Sequence, residues 1–273
     1  MLSTLMNLDR RIIFIFVALA VIIPTLLPIN LPINISEPTQ RIYDYIDALP
    51  TGSTLMIAFD YGPSSLPELN PMAKAVLRHC FDKDVRVIGM TLYPFAPTLA
   101  DTLITEVAEE AGAVNGEDYV FLGFRPGGEQ VMLRMGISIG SVFEKDYTNT
   151  PLTEIPMMKD ITNYDQIDLI LDLASGSTTD LWITYVNVKY NQQIAAGVTG
   201  VIVSNMYPYL QTKQLVGLMP GYLGASEYEK LIGVPEKGTQ GINNASPVHV
   251  LILGLVVIGN IVFFIQRRRE GLN

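Results

Sequence analysis

Two charge-free stretches constrain this chain of 273 residues more than any other feature. One runs from Ile12 to Ser36 behind Arg10 and Arg11; the other runs from Gly238 to Gln266 and ends at Arg267, Arg268 and Arg269. A hydrocarbon layer ~30 Å thick takes ~20 apolar residues in helical form, and basic flanks stay on the cytoplasmic side. Both termini are therefore expected inside and the intervening chain outside, as a two-pass protein of the cell membrane. The expected divisions are a cytoplasmic N-terminus (1–11), an anchor with a proline-rich exit (12–35) and an extracytoplasmic domain (36–237). A tether (238–247), a second membrane helix (248–266) and a cytoplasmic C-terminus (267–273) follow.

A short basic region before Ile12 to Ile23 also describes a secretory signal peptide. The apolar run has no small-x-small cleavage pattern and ends in Pro24, Pro28 and Pro32, which favours an anchor whose helix gives way to an extended exit. In the second stretch, Asn260 is a candidate for a hydrogen bond to a neighbouring membrane helix, against the plainer reading that it reaches the interface.

Charge separates the middle from the ends. Of 18 basic and 27 acidic residues, five basic and two acidic lie at the ends, leaving the middle at −12. Nucleic-acid binding needs clustered Lys and Arg, so no nucleic-acid partner is expected; the lipid bilayer is met through the apolar ends. Cys80 is the single cysteine, so no intrachain disulfide forms and a packed core must stabilise the domain.

From Ser53 onward, short apolar runs alternate with amphipathic stretches. Leu55–Phe59, Val85–Leu92, Tyr119–Phe124, Ile167–Leu173 and Ile194–Val203 read as buried strands, and their continuous apolarity predicts a parallel sheet covered on both faces. Leu69, Met72, Ala73, Val76, Leu77, Cys80 and Phe81 form one helical stripe with Lys74 and Arg78 opposite; Ala100, Leu103, Ile104, Val107, Ala108 and Ala111 form another, with Thr98 and Asp101 as its cap and Gly112 as its end. Residues 128–143 predict an apolar helix, and 144–166 a long surface connection. A helix opened by Ser177 and Asp180 runs to about Tyr190. Helices are expected at Met206–Leu218 and Ser226–Ile232, and a flexible tether at Gly233–Ser246. The predicted fold is an α/β, three-layer Rossmann-like or flavodoxin-like domain with about five mainly parallel strands.

Ligands of such sheets bind beyond the carboxyl ends of the strands. That rule selects Asp60 after the first strand, Arg125, Gly127, Gly128 and Glu129 after the third, and Asp172, Ser175, Gly176 and Ser177 at the fourth. Glycine amides at a helix start and an Arg side chain suit an anion, while Asp60 and Asp172 suit acid-base work or a cation. Each also has an ordinary role as turn former or cap. No nucleotide P-loop ending and no nucleophile elbow is present, and two histidines make a His-rich metal site implausible, so no cofactor or metal is expected. His79 and Cys80 point apart on one helix, and Cys80 belongs to its apolar stripe. Met132, Met135, Gly136 and Gly140 are candidates for a packing interface, within the chain or with a partner.

Pro67-Glu68-Leu69-Asn70-Pro71-Met72-Ala73-Lys74, Gly116-Glu117-Asp118-Tyr119-Val120 with Gly127-Gly128-Glu129, and Gly221-Tyr222-Leu223-Gly224-Ala225-Ser226-Glu227-Tyr228-Glu229 together resemble an uncharacterised group of prokaryotic membrane-anchored extracytoplasmic α/β proteins. The resemblance implies no activity for particular residues. Two functions follow as expectations. One is a non-catalytic interaction subunit of a membrane complex, partnered by other membrane proteins or by copies of itself. The other is an extracytoplasmic small-ligand-binding protein or hydrolase using the strand-end loops.

Overall fold

The computed structural model describes residues 9–27 and 31–269; the N-terminal residues 1–8, Pro28 of the expected exit and the C-terminal residues 270–273 lie outside the described residues. The chain divides into two units, one of residues 1–32 with 240–273 and one of Ile33–Thr239.

In the first unit, helix α1 (Arg10–Leu26) begins where the Asp9 carboxylate accepts the Arg11 N–H at 3.0 Å, and it carries Pro24 in its last turn. Among the described residues, one helix is long and apolar enough to cross a membrane, and it lies at the C-terminal end of the chain. That helix, α10 (Lys237–Arg269), contains the residues expected to form a flexible tether, 238–247. The correction has a physical source described below: the first turn of this helix, up to Thr239, belongs to the second unit, and a carboxylate of that same unit satisfies its amides. Asn260 donates to Val256 O of the same helix at 2.9 Å, so its amide is satisfied one turn back.

The second unit is built on a parallel sheet of six strands, ordered β3-β2-β1-β4-β5-β6. These are β1 (Thr54–Asp60), β2 (Arg86–Thr91), β3 (Tyr119–Phe124), β4 (Leu169–Ala174), β5 (Ile194–Val198) and β6 (Leu218–Pro220). Alternate residues of each strand enter different cores. Leu55, Ile57 and Phe59 of β1 pack with one set of helices, and Met56 and Ala58 pack with the other. This explains the unbroken apolar runs, because strands buried on both faces need no polar alternation.

On one face lie α2 (Glu37–Asp47), α3 (Leu66–Asp82), α4 (Pro97–Ala111) and α9 (Gly221–Leu231). The α3 stripe is buried as its spacing predicts, while Lys74 and Arg78 project to Glu106 and Glu110 of α4. Gly112 ends α4 in the left-handed conformation (φ 73°); Thr98 does not cap it, since the helix starts one residue earlier, at Pro97, whose missing N–H suits a first turn. On the other face lie α5 (Glu129–Met135), α6 (Thr178–Trp182) with its π-helical continuation Ile183–Asn187, α7 (Val188–Tyr190) and α8 (Val203–Gln211).

Four sequence expectations change. The sheet has six strands rather than five, because Leu218–Pro220, expected at a helix end, pairs with Ala196–Val198 of β5. Strand β5 stops at Val198 instead of Val203, since Gly200 N–H is taken by Glu68 Oε2 at 2.8 Å and the chain turns there into α8. The helix expected over 128–143 is only α5: Gly136 caps it, and Ile139–Ser141 form a separate 3-10 turn started by Ser138. Ser177 occupies the N-cap position of α6 without a side-chain capping bond; the neighbouring Thr178 and Thr179 hydroxyls turn inward instead.

Helix α9 organises the unit's two ends. Its buried Glu227 accepts the Ser36 N–H (3.1 Å), the Ser36 hydroxyl (2.7 Å) and the Thr39 hydroxyl (2.5 Å), so it serves the start of α2. Two residues on, Glu229 accepts the N–H groups of Glu236, Gly238 and Thr239 and the Thr239 hydroxyl, serving the start of α10. Helix starts leave free N–H groups and a partial positive charge, and a buried carboxylate answers both. Beneath this junction, His79 Nδ1 meets the Tyr228 hydroxyl at 2.9 Å, its ring stacks on Tyr43, and burial pulls its pKa down. The adjacent Cys80 lies in the core, with its thiol pKa pushed up by burial, so the two residues form no reactive pair.

Candidate functional site at the carboxyl edge of the sheet

The strand order reverses between β1 and β4, and the carboxyl ends of these neighbours are where a doubly covered parallel sheet opens a crevice. In the register, Ala58 lies opposite Asp172 and Asp60 opposite Ala174. Side chains alternate along each strand, so Asp60 and Asp172 project to the same face on adjacent strands, offset by one pleat. Both are buried, at 2% and 0% exposure.

Asp60 is held from two sides. Its Oδ1 accepts the Leu92 N–H at 2.6 Å and the Thr91 hydroxyl at 3.3 Å, and its Oδ2 accepts Trp182 Nε1–H at 3.4 Å. The register shift between β2 and β3 at Gly89 and Thr91 accompanies this turn of the backbone toward β1. Asp172 Oδ2 accepts the Thr179 hydroxyl at 2.6 Å and the Thr178 hydroxyl at 3.4 Å. Among the described residues, no donor side chain or amide reaches Asp172 Oδ1. The ionisable group on the same face of the neighbouring strand is the Asp60 carboxyl. Burial pushes Asp60 up to about 6, moderated by the Leu92 amide. Burial, and then the Asp60 charge, push Asp172 well above the usual carboxylate range. Burial and the neighbouring like charge thus favour the protonated form at this pair.

The crevice over this pair is filled from within. Trp182, fully buried, lies against Asp60, and Tyr164 meets it edge-on. Sequence reasoning found both carboxylates but missed Thr91, Thr178, Thr179 and Trp182. Thr178 and Thr179 directly follow the candidate Ser177, whereas Thr91 lies inside an expected strand. The one tryptophan of the chain was a signal of its own, since a buried indole N–H needs an acceptor.

The other strand-end residues take separate places. Ser175 is joined to the pair's strand through its N–H, which reaches Asp60 O at 3.5 Å, whereas Gly176 faces open space. Arg125 Nε donates to Val142 O at 2.8 Å, with its guanidinium over the Phe143 ring, so it secures the chain after α5. Gly127 (φ 124°) and Gly128 (φ 47°) make the turn into α5, where Glu129 stands exposed in the first turn. Arg125 also borders an open cleft of about 370 Å³ whose walls include Lys145, Tyr147 and Asn149.

Met132 and Met135 are buried in the core of the α5 face, and Gly136 lies against the Tyr190 ring, which a methyl group there would strike. Their packing is within the chain; Gly140 is exposed. Among the described residues, no cluster of three His, Cys, Asp or Glu side chains is placed to hold a metal ion. Comparisons with protein-family profiles, curated proteins and solved structures find no match.

Proposed function

We propose that this chain is a membrane-anchored, extracytoplasmic docking subunit of Rossmann-like fold, working through contacts with other membrane proteins or further copies of itself rather than through catalysis. The observation that carries this reading is the filled crevice: Asp60, Asp172 and Trp182 are buried at the position where a ligand of such a fold would lie, with the indole N–H on Asp60. Apolar side chains nevertheless stand out on the loops of the same edge. Phe95, after β2, is 69% exposed and pairs with Tyr93, while Val201, after β5, is 87% exposed. Apolar groups of this kind suit a protein contact.

The two-pass topology, with both termini cytoplasmic, is part of the proposal. It is supported by the apolar helix α10 running into basic residues and by the shorter apolar helix α1 following Arg10 and Arg11. Purification of the full chain in several mild detergents, followed by crosslinking, tests the reading. A partner or oligomer that is lost on Phe95→Ser with Val201→Ser, while the fold persists, is the expected result. A protein that stays monomeric and partnerless throughout would sink it.

A second reading, a small polar ligand held outside the cell, rests on the cleft beside Arg125 and Tyr147. Its expected sign is ligand-induced thermal stabilisation that disappears in Lys145→Ala or Tyr147→Ala.

A further inference from the structure

We propose that the crevice between β1 and β4 is a proton-operated closure, in which one proton shared by Asp60 and Asp172 holds the segment Ser175–Trp182 over the sheet and loss of that proton releases it. The inference is independent of the docking function. It begins with connectivity. Every polar contact between that segment's side chains and the two strands ends on one of the two carboxyls: Thr178 and Thr179 on Asp172, Trp182 on Asp60.

The groups facing the pair offer no compensating charge. β2 presents Thr91 and the Leu92 amide, β5 presents Ala196 beside Asp172, and α6 presents its two threonines and the indole. Asp180, the ionisable residue on α6, is engaged with the Tyr209 hydroxyl. Among the described residues no group reaches the Asp172 oxygen left over by the threonines, and a proton there is a hydrogen it can direct at Asp60 on the same face of the neighbouring strand. Without it, two buried carboxylates face each other, and a buried charge without a partner is costly. The cheapest relief is to admit water by lifting the short α6, whose continuation is already a π-helical turn. A further proton on Asp60 at low pH leaves the pair neutral and the segment closed. The raised affinity of both carboxyls for protons puts the opening on the alkaline side.

Trp182 is the only tryptophan, so intrinsic fluorescence of the full-length protein in detergent reads this segment alone. A titration from pH 5 to pH 10 is expected to give a reversible red shift and a several-fold rise in acrylamide quenching, with unchanged far-UV circular dichroism. Asp172→Asn, which keeps a donor toward Asp60 at every pH, should hold the emission blue throughout. Should that variant fail to fold, Asp60→Asn is the second arm: with one carboxylate left and an amide facing it, the emission should again stay blue across the titration. Constant wild-type emission, an unchanged transition in both variants, or loss of helix signal in step with the red shift would each overturn the closure.

Discussion

Replacing Asp172 by asparagine keeps a donor facing Asp60 and an acceptor facing Thr179, while removing the charge that burial opposes. A carboxyl whose folded pKa lies above its unfolded value keeps a proton in the native state that the unfolded chain has lost. Stability therefore is greatest below the unfolded value and falls as pH rises toward the folded one. For Asp60 that window runs from 3.8 to about 6, and for Asp172 the loss continues above it. Urea midpoints at pH 4, 6 and 8 should show the wild type losing stability with pH. Asp172→Asn should lose less over the same range, so that the gap between the two proteins widens from pH 4 to pH 8. Equal pH slopes for the two proteins would refute the assignment. Gly136→Ala belongs to the same scale. The Tyr190 ring is fixed by its hydroxyl bond to Leu133 O and by Tyr164, so it cannot easily retreat. Overpacking of this kind costs about 1–3 kcal/mol, readable as a lower urea midpoint. The two carboxylates were legible in the sequence because Asp60 ends one apolar run and Asp172 interrupts another. Their closure by Trp182 was not, because indole and carboxylate are brought together by folding across 122 positions.

Among elements, those formed by local pattern were read well and those formed by distant contacts were not. The α3 stripe, its outward basic residues and the Gly112 stop of α4 follow from spacing and from one left-handed position. Strand β6 is three residues long and exists because β5 offers it an edge; no period can show in so short a run. The turn after β5 depends on Glu68, far away in sequence, and the helical start of α10 depends on Glu229. Asparagine, glycine and serine favour non-helical backbone locally, which made 238–247 read as a tether, yet the supplied carboxylate tips the balance. Glu229→Ala is accordingly expected to fray α10, with faster amide exchange at Glu236, Gly238 and Thr239 and a loss of about 1–2 kcal/mol. Glu227→Ala should act in the same way at Ser36 and leave the α10 amides protected. Protection unchanged in both variants would remove the capping role.

For the molecule as a whole, the burial of its one cysteine makes a topology experiment clean. Cys80 lies in the core, so a thiol placed on the exposed turn at Asn149 reports without background. In intact cells, Asn149→Cys is expected to react with a membrane-impermeant maleimide, while a cysteine at Arg267 reacts only after lysis. The reverse pattern would invert the topology.

The two carboxylates of α9 have a further consequence, because a chain whose beginning and end are gripped two residues apart on one helix is nearly a closed ring. Lys230 adds to the grip by donating to Ile33 O at 2.6 Å. The Ile33–Thr239 unit should therefore tolerate rewiring. Joining its native ends with a short glycine linker and cutting it at Asn149 should yield a circular permutant with the same secondary structure by circular dichroism. In this sense the unit is organised like a cassette, insertable wherever a host protein offers two adjacent ends.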